Sequence, residues 1–160
     1  MPAIPGRHII LEIESSWSLN AATYKVEYAV HFVLLDDLLL VAKRRKRRTG
    51  EGGKLVAEKC WPINEISLLD MKDTQGVLLF ICYLPFDAEC YVDVSRAFRF
   101  RRGKESFVYR CDRSSDKKAL FASFKTTAEE LAARKRKERE GEHERRRSLW
   151  AAGDVSTVHP

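Results

Sequence analysis

The chain has 160 residues, a formal net charge of +6, and 29 basic against 23 acidic side chains. This length fits a single domain with one sizeable core. Lys43–Arg48 is an unbroken basic run that carries a charge equal to the whole excess, so a nucleic-acid surface spread over the molecule is not indicated. No apolar run approaches the about 20 residues that a membrane-spanning helix needs. The opening "MPAIPGRH" lacks the apolar core of a signal peptide, which predicts a cytoplasmic protein.

The first part of the chain shows the pattern of β-strands. Residues 7–14, "RHIILEIE", are apolar and β-branched, which predicts a strand that ends before the more polar stretch beginning at Ser15. Residues 29–35 and 38–44 are apolar runs separated only by Asp36-Asp37. Two such runs around two turn-forming residues predict a tight β-hairpin.

A basic, glycine-rich segment follows this hairpin. It reads "KRRKRRTGEGGK" over residues 43–54, and its glycines permit a sharp reversal of the chain. Residues 54–63 are predicted to return as a strand, in which Pro62 ends the ladder pairing. The sequence of residues 65–71, "EISLLDM", predicts a further short strand. The basic segment is therefore predicted to connect two antiparallel strands.

A second hairpin is predicted over residues 97–111, "AFRFRRGKESFVYRC", with its turn at 102–104. Aromatic residues alternate with polar ones on both arms, so those of each arm share one face. They are Phe98 and Phe100 on the first arm, and Phe107 and Tyr109 on the second.

The periodicity then changes from that of strands to that of an amphipathic helix. Apolar residues recur at spacings of three or four, at Leu120, Phe124, Ala128 and Leu131. Ser114, Ser115 and Asp116 supply candidate N-caps. After Leu131 the sequence carries charge of both signs, which predicts a solvated extension of the helix that fades into disorder. Residues 139–160 are predicted to form a charged, disordered tail, for which a nucleic-acid role is not favoured.

No catalytic or metal-binding pattern stands out. The four cysteines, Cys60, Cys82, Cys90 and Cys111, contain no closely spaced pair of the kind that zinc sites use. We expect them to be reduced cysteines packed in strands. No serine or cysteine lies in a recognisable nucleophile motif. The sequence predicts a protein that is not an enzyme and that has no metal and no cofactor.

Seven strands followed by one helix suggest a particular architecture. A strongly bent antiparallel sheet leaves an open end that an amphipathic helix can close. We therefore predict a mainly β fold of the pleckstrin-homology (PH) type, a seven-stranded bent antiparallel sandwich or barrel capped by one C-terminal α-helix.

Three segments carry a closer resemblance, "VHFVLLDDLLLVAKRRKRR", "KLVAEKCWPINEISLLDMKD" and "FRFRRGKESFVYRCDRSSDKKALFASFKTTAEEL". Together they resemble the PH domain of the Exo84 subunit of the exocyst in its fungal form. The resemblance covers residues 6–138, which we predict to be one PH-like domain. Residues 74–94 occupy a position where that family generally has a short connection, so they are predicted to be an unusual insertion.

The resemblance implies a function in vesicle tethering at the plasma membrane during exocytosis. The predicted lipid-binding residues are those of the basic hairpin: Lys43, Arg44, Arg45, Lys46, Arg47, Arg48 and Lys54. Their implied ligands are anionic plasma-membrane lipids, namely phosphoinositides and phosphatidylserine. PH domains that bind phosphoinositides tightly carry basic residues where this chain has Glu12-Ile13-Glu14 and Ala29–Phe32. We therefore predict weak, charge-driven binding with modest headgroup discrimination.

Other interpretations of the basic hairpin remain open. It could be a solvated hairpin tip without a ligand, or a nuclear-import or nucleic-acid patch, although the run lacks aromatic residues for base stacking. The alternative function is a protein-interaction module that docks a small GTPase or another exocyst subunit without significant lipid binding. The implied partners are other exocyst subunits, anionic lipids and a candidate small GTPase, with no nucleic acid expected. The implied location is cytoplasmic and peripheral, at the plasma membrane and secretory vesicle sites.

Overall fold

A computed structural model of the chain describes residues 6–45, 53–71 and 95–154. Within these ranges the structure has seven strands and one α-helix, α1, at Ser114–Asp154. The strands are β1 (Ile9–Leu19), β2 (Val26–Leu35), β3 (Leu38–Arg45), β4 (Lys54–Pro62), β5 (Ser67–Asp70), β6 (Ala97–Arg102) and β7 (Glu105–Cys111). A 3₁₀ turn at Ile63–Glu65 joins β4 to β5. The predicted fold class is confirmed.

All strands belong to one antiparallel sheet, in the order β4-β3-β2-β1-β7-β6-β5. Strand β1 connects its two halves, because it pairs with β2 and also, through Ser16–Leu19, with β7. Its pairing with β2 shifts register between Ile13 and Ser16, and such a bulge bends a strand. The predicted end of this strand at Glu14 was therefore too early. Small serines fill its inward positions in place of large apolar residues, and Ser16 and Ser18 are buried.

The core lies between the two halves of the sheet and is rich in aromatic rings. Phe32 of β2 lies at its centre, with its ring centroid 5.0 Å from that of Tyr109 and 5.7 Å from that of Phe98. The ring centroids of Phe100 and Trp61 are 5.6 Å apart. The predicted shared face on each arm of the second hairpin is confirmed, and it points into the core: Phe98, Phe100 and Tyr109 are fully buried and Phe107 is half-buried.

Helix α1 closes one end of this core. Leu120, Phe124 and Leu131 are buried and belong to the core cluster, and Ala128 packs against it. This confirms the predicted apolar stripe. The helix also carries a buried lysine, Lys117, whose Nζ donates a hydrogen bond to Asp70 Oδ1 at 2.8 Å.

The helix continues far beyond its packed part. It runs to Asp154, so the prediction that a disordered tail begins at residue 139 is wrong for residues 139–154. All side chains from 136 to 152 are exposed. This segment is rich in Glu and Arg, which favour helix, and Arg146 contacts Glu142 one turn away at 2.9 Å. Residues 155–160 lie outside the described residues.

The position of α1 defines two opposite ends of the β1–β4 half of the sheet. Arg134 of α1 donates a hydrogen bond to the carbonyl of Asp36, in the β2–β3 turn, at 3.1 Å. Because neighbouring strands are antiparallel, the β1–β2 loop and the β3–β4 connection lie at the other end. The predicted insertion at 74–94 lies outside the described residues. Within the described ranges, no helix is long and apolar enough to cross a membrane.

Candidate functional site

The arms of the basic hairpin are the paired ends of β3 and β4. Arg45 is opposite Lys54, and Arg44 is opposite Leu55. Arg44, Arg45 and Lys54 are exposed, and none of the ion pairs within the described residues includes them. The remaining predicted lipid-binding residues, Lys46, Arg47 and Arg48, lie outside the described residues.

A glycine sets the close approach of the two arms. A Cβ atom at Gly53 would lie 2.7 Å from the carbonyl oxygen of Arg45 and 2.9 Å from Cγ of Arg44. Real Cβ atoms essentially never come that close to backbone oxygen, so any other residue here would push the arms apart. Gly53 therefore helps to place the exposed arginines.

Lys43 differs from its neighbours because it turns back toward the sheet. It is half-buried, and its Nζ lies 4.0 Å from the centroid of the Tyr28 ring, a cation–π geometry. The Tyr28 hydroxyl lies 2.9 Å from both carboxylate oxygens of Glu58. Burial is the main cause that raises the pKa of Tyr28, and the Glu58 carboxylate also raises it. A hydrogen bond with Ser18 opposes the shift.

Sequence reasoning missed a second lysine close to this group. Lys59 of β4 is half-buried, with its Nζ 4.0 Å from the Phe107 ring centroid and 3.4 Å from the Tyr109 hydroxyl. Burial lowers the pKa of Lys59, although the nearby carboxylates of Glu58 and Glu27 oppose the shift. The aromatic groups nearest to its Nζ, Phe107 and Tyr109, come from β7, and only the more distant Trp61, with its ring centroid at 5.7 Å, comes from the same strand.

These groups line a small cleft of about 190 Å³ beside the β1–β2 loop. Its lining includes Glu27, Tyr28, Lys59, Ser106 and Phe107. A carboxylate in the lining disfavours a multiply charged anion there. The exposed arms of the hairpin are the better place for an anionic surface, because they present cations without neighbouring ion-pair partners.

Tight phosphoinositide binders carry basic residues at certain positions of β1 and β2. At these positions this chain has no cation directed at a phosphate ligand. Glu12 and Glu14 of β1 are exposed. His31 of β2 is buried, and its Nε2 lies 2.7 Å from Glu12 Oε1. These positions of β1 and β2 therefore carry exposed carboxylates and a buried, paired imidazole.

The described cysteines are both free, and they differ in environment. Cys60 is exposed and Cys111 is buried, so the expectation of packed cysteines fits only the second. Burial raises the pKa of the Cys111 thiol to about 11, with a hydrogen bond from Ser16 opposing the shift. Cys82 and Cys90 lie outside the described residues. In the part of the chain that the structure describes, no group of three His, Cys, Asp or Glu residues could hold a metal ion.

Solved structures share this architecture at low sequence identity. The linker and DH/PH domains of an N-terminally truncated p115-RhoGEF match with a TM-score of 0.51 and 18% identity, over 79% of this chain and 30% of that one. The DH/PH fragment of PDZRHOGEF, solved in complex with human RhoA, matches with a TM-score of 0.50 and 16% identity, over 78% and 29%. At this identity the likeness concerns the fold alone.

Sequence relatives are closer and share one description. Exocyst complex component EXO84 of Cryptococcus neoformans var. neoformans serotype D is 33% identical over 100% of this chain and 24% of its own length. The exo84 component of Aspergillus fumigatus is 36% identical over 82% of this chain and 20% of its own length. This chain thus spans about a quarter of the length of these curated relatives. The family model described as the PH domain found in exocyst complex component Exo84 matches residues 1–146, and the chain belongs to this family.

Proposed function

We propose that this PH domain acts as a membrane-docking module that uses its basic hairpin to bind anionic phospholipid headgroups. In this way it contributes to vesicle tethering at the plasma membrane during exocytosis, as a binding module and not as an enzyme. The proposed contacts are the exposed Arg44, Arg45 and Lys54, together with Lys46, Arg47 and Arg48 between them, while Lys43 supports the arm through Tyr28.

The observation that carries this proposal is the group of exposed cations at the paired ends of β3 and β4. Each basic residue near an anionic leaflet contributes about 1 kcal/mol. Neighbouring cations within one Debye length of about 8 Å repel one another, so the sum is smaller than the number of charges suggests. Docking of this kind is salt-sensitive and depends on surface charge more than on headgroup identity.

The test is a vesicle-binding assay with a charge-matched control. We expect replacement of Arg44, Arg45, Arg47 and Arg48 with glutamine to weaken binding to phosphatidylcholine–phosphatidylserine vesicles, by up to about 4 kcal/mol. The control replaces four exposed basic residues of α1 with glutamine: Arg136, Lys137, Arg139 and Arg147. Both variants lose the same charge, so equal losses of binding would show that total charge, and not the hairpin, is responsible.

A second candidate function is docking of another exocyst subunit, and the exposed part of α1 favours it. A helix that is polar on all sides and carries no packing of its own commonly bridges to another domain or partner. Leu149 and Trp150 near its end are 72% and 80% exposed. A pull-down with the other exocyst subunits tests this role, and it should fail for a Leu149→Ala, Trp150→Ala variant that still binds vesicles. The same pull-down with a small GTPase tests the alternative partner.

A further inference from the structure

The exposed end of α1 holds a serine that follows three arginines. Residues 145–150 read "RRRSLW", so Ser148 has a basic residue at each of the three positions before it and an apolar residue after it. Every side chain from 136 to 152 is exposed, and this range includes the serine and the arginines. These groups are therefore accessible to another protein.

Arginines at fixed distances before a serine suit one class of protein kinase, those whose substrate groove presents carboxylates. A guanidinium binds a carboxylate through two parallel N–H bonds, which gives the contact direction as well as energy. Carboxylates placed for the residues two and three positions before the serine would bind Arg146 and Arg145. Phosphoryl transfer depends mainly on positioning of this kind.

Of the described serines and threonines, only Ser148 has basic residues both two and three positions before it. The hydroxyl of Ser106, by contrast, is buried, and only one of these two positions is basic there. Thr49 lies outside the described residues and follows Lys46 and Arg47 at the same spacing. An experiment on Ser148 therefore has to remove Thr49.

The bonds that hold this end of the helix are local. Ser148 Oγ donates a hydrogen bond to the carbonyl of Glu144 at 3.1 Å, so this turn has to open before the oxygen can react. The side-chain hydrogen bonds and ion pairs of residues 141–152 all stay inside that segment of the described chain, such as the exposed pair Arg146–Glu142 at 2.9 Å. An exposed pair adds little stability, and a segment without buried contacts opens readily.

We propose that Ser148 is a phosphorylation site for an arginine-directed protein kinase. In this step Ser148 Oγ forms a bond with the γ-phosphorus of ATP, which the kinase holds with magnesium. The bond from that phosphorus to the oxygen that bridges to the β-phosphate breaks, and ADP leaves with the electron pair. The hydroxyl proton passes to a carboxylate of the kinase and then to water.

The phosphate also has a consequence for the helix tip, and this consequence rests on the proposed docking of another exocyst subunit there. Ser148 is next to Leu149 and Trp150, the exposed apolar residues of that tip. Phosphoserine carries a charge of about −1.5 to −2 at pH 7, and burial of such a charge in an apolar interface is unfavourable. Phosphorylation of Ser148 should therefore prevent docking through the tip.

The first test incubates the 160-residue chain with ATP and the catalytic subunit of cyclic-AMP-dependent protein kinase, with Thr49→Ala in every protein. Phosphate should appear on Ser148 in peptide mass spectra and be missing in Ser148→Ala. Arg145→Gln with Arg146→Gln should lower kcat/KM at least about tenfold, because charge-assisted hydrogen bonds are lost. This variant also loses the pair with Glu142, so a more stable helix cannot explain the decrease.

The matched control carries Arg136→Gln and Arg139→Gln, which remove the same charge from exposed positions of the same helix. Its kcat/KM should equal that of the parent chain, and equal losses in the two variants would overturn recognition through the arginines before Ser148. A synthetic peptide of residues 142–152 measures the protection given by the helix. Phosphorylation of the peptide but not of the chain would mean that α1 shields the serine, and the site would be wrong.

The last test separates the modification from its consequence. Untreated chain and chain phosphorylated at Ser148 are compared in pull-downs with the other exocyst subunits. We expect capture of the untreated chain only, and kinase-treated Ser148→Ala should be captured like the untreated chain. Equal capture of both forms overturns the effect on docking. If neither form is captured, the docking proposal fails, while the phosphorylation site is decided by the kinase assay.

Discussion

Phe124 lies on the face of α1 that closes the sandwich, where it contacts Phe100 at a centroid distance of 6.1 Å. Its side chain is only 8% exposed. Replacing a buried phenylalanine with alanine removes its contacts and leaves a cavity. We expect Phe124→Ala to lower the free energy of unfolding by about 3–5 kcal/mol in urea melts.

Trp150 provides the control on the same helix, because it is 80% exposed. Trp150→Ala should change the free energy of unfolding by less than about 0.5 kcal/mol. A Phe124→Ala variant as stable as Trp150→Ala would mean that the helix does not contribute to the core.

Cys111 gives a pH-dependent prediction. Burial raises the pKa of its thiol from 9.0 to about 11, so above pH 9 the unfolded chain loses this proton while the folded chain keeps it. The stabilisation is complete below pH 9 and is lost as the pH rises toward 11. Between pH 9 and 10 the loss should be about 1 kcal/mol, and it should be missing in Cys111→Ala. Equal slopes for the two proteins would contradict the assignment.

Some individual residues could be predicted from the sequence, and others could not. The inward aromatic residues of the second hairpin followed from alternation within one short segment. Lys59 and Arg99 did not, because their environments depend on strands far away in the chain: Phe107 lies beside the lysine and Tyr24 beside the arginine. Local patterns predict which face is buried, and they do not predict which distant side chains meet there.

Two glycines give opposite predictions at the level of elements. A Cβ atom at Gly53 would collide with backbone, so Gly53→Ala should destabilise the hairpin by about 1–3 kcal/mol. Around Gly141 in α1, by contrast, there is nothing within 4 Å. There alanine favours helix by about 1 kcal/mol, and Gly141→Ala should slow amide hydrogen exchange in the exposed helix. Destabilisation by Gly141→Ala, or none by Gly53→Ala, would contradict the geometry.

The elements themselves were largely predictable, and the exceptions share a physical cause. The β2–β3 hairpin and the apolar stripe of α1 followed from periodic burial. The second part of β1, "SSWSL", and the end of α1 did not. In the second part of β1 two of the three buried side chains are serines, Ser16 and Ser18, and in the exposed helix there is no burial to leave a pattern. Periodicity detects elements through large apolar residues, so elements that lack them are missed.

At the level of the whole molecule, the proposed membrane contact is confined to one end of the sheet. The exposed cations of the hairpin lie at the paired ends of β3 and β4. Raising the salt concentration should therefore weaken binding to phosphatidylserine vesicles, because exposed charges are strongly screened. Vesicle titrations at low and physiological salt measure this effect, and binding that does not change with salt would contradict docking through exposed cations.

The contact between Arg134 and Asp36 determines where the exposed helix leaves the sandwich, at the end opposite the basic hairpin. Trp150 lies sixteen residues after Arg134 in the same helix, a distance of about 24 Å along the helix axis. A domain seated on a bilayer through its hairpin would thus hold the tip of the helix at a standoff from the lipid. Fluorescence of Trp150, with Trp17 and Trp61 replaced by phenylalanine, should not be quenched by brominated lipid in anionic vesicles. The domain would then set a fixed clearance between the membrane and whatever binds the helix tip.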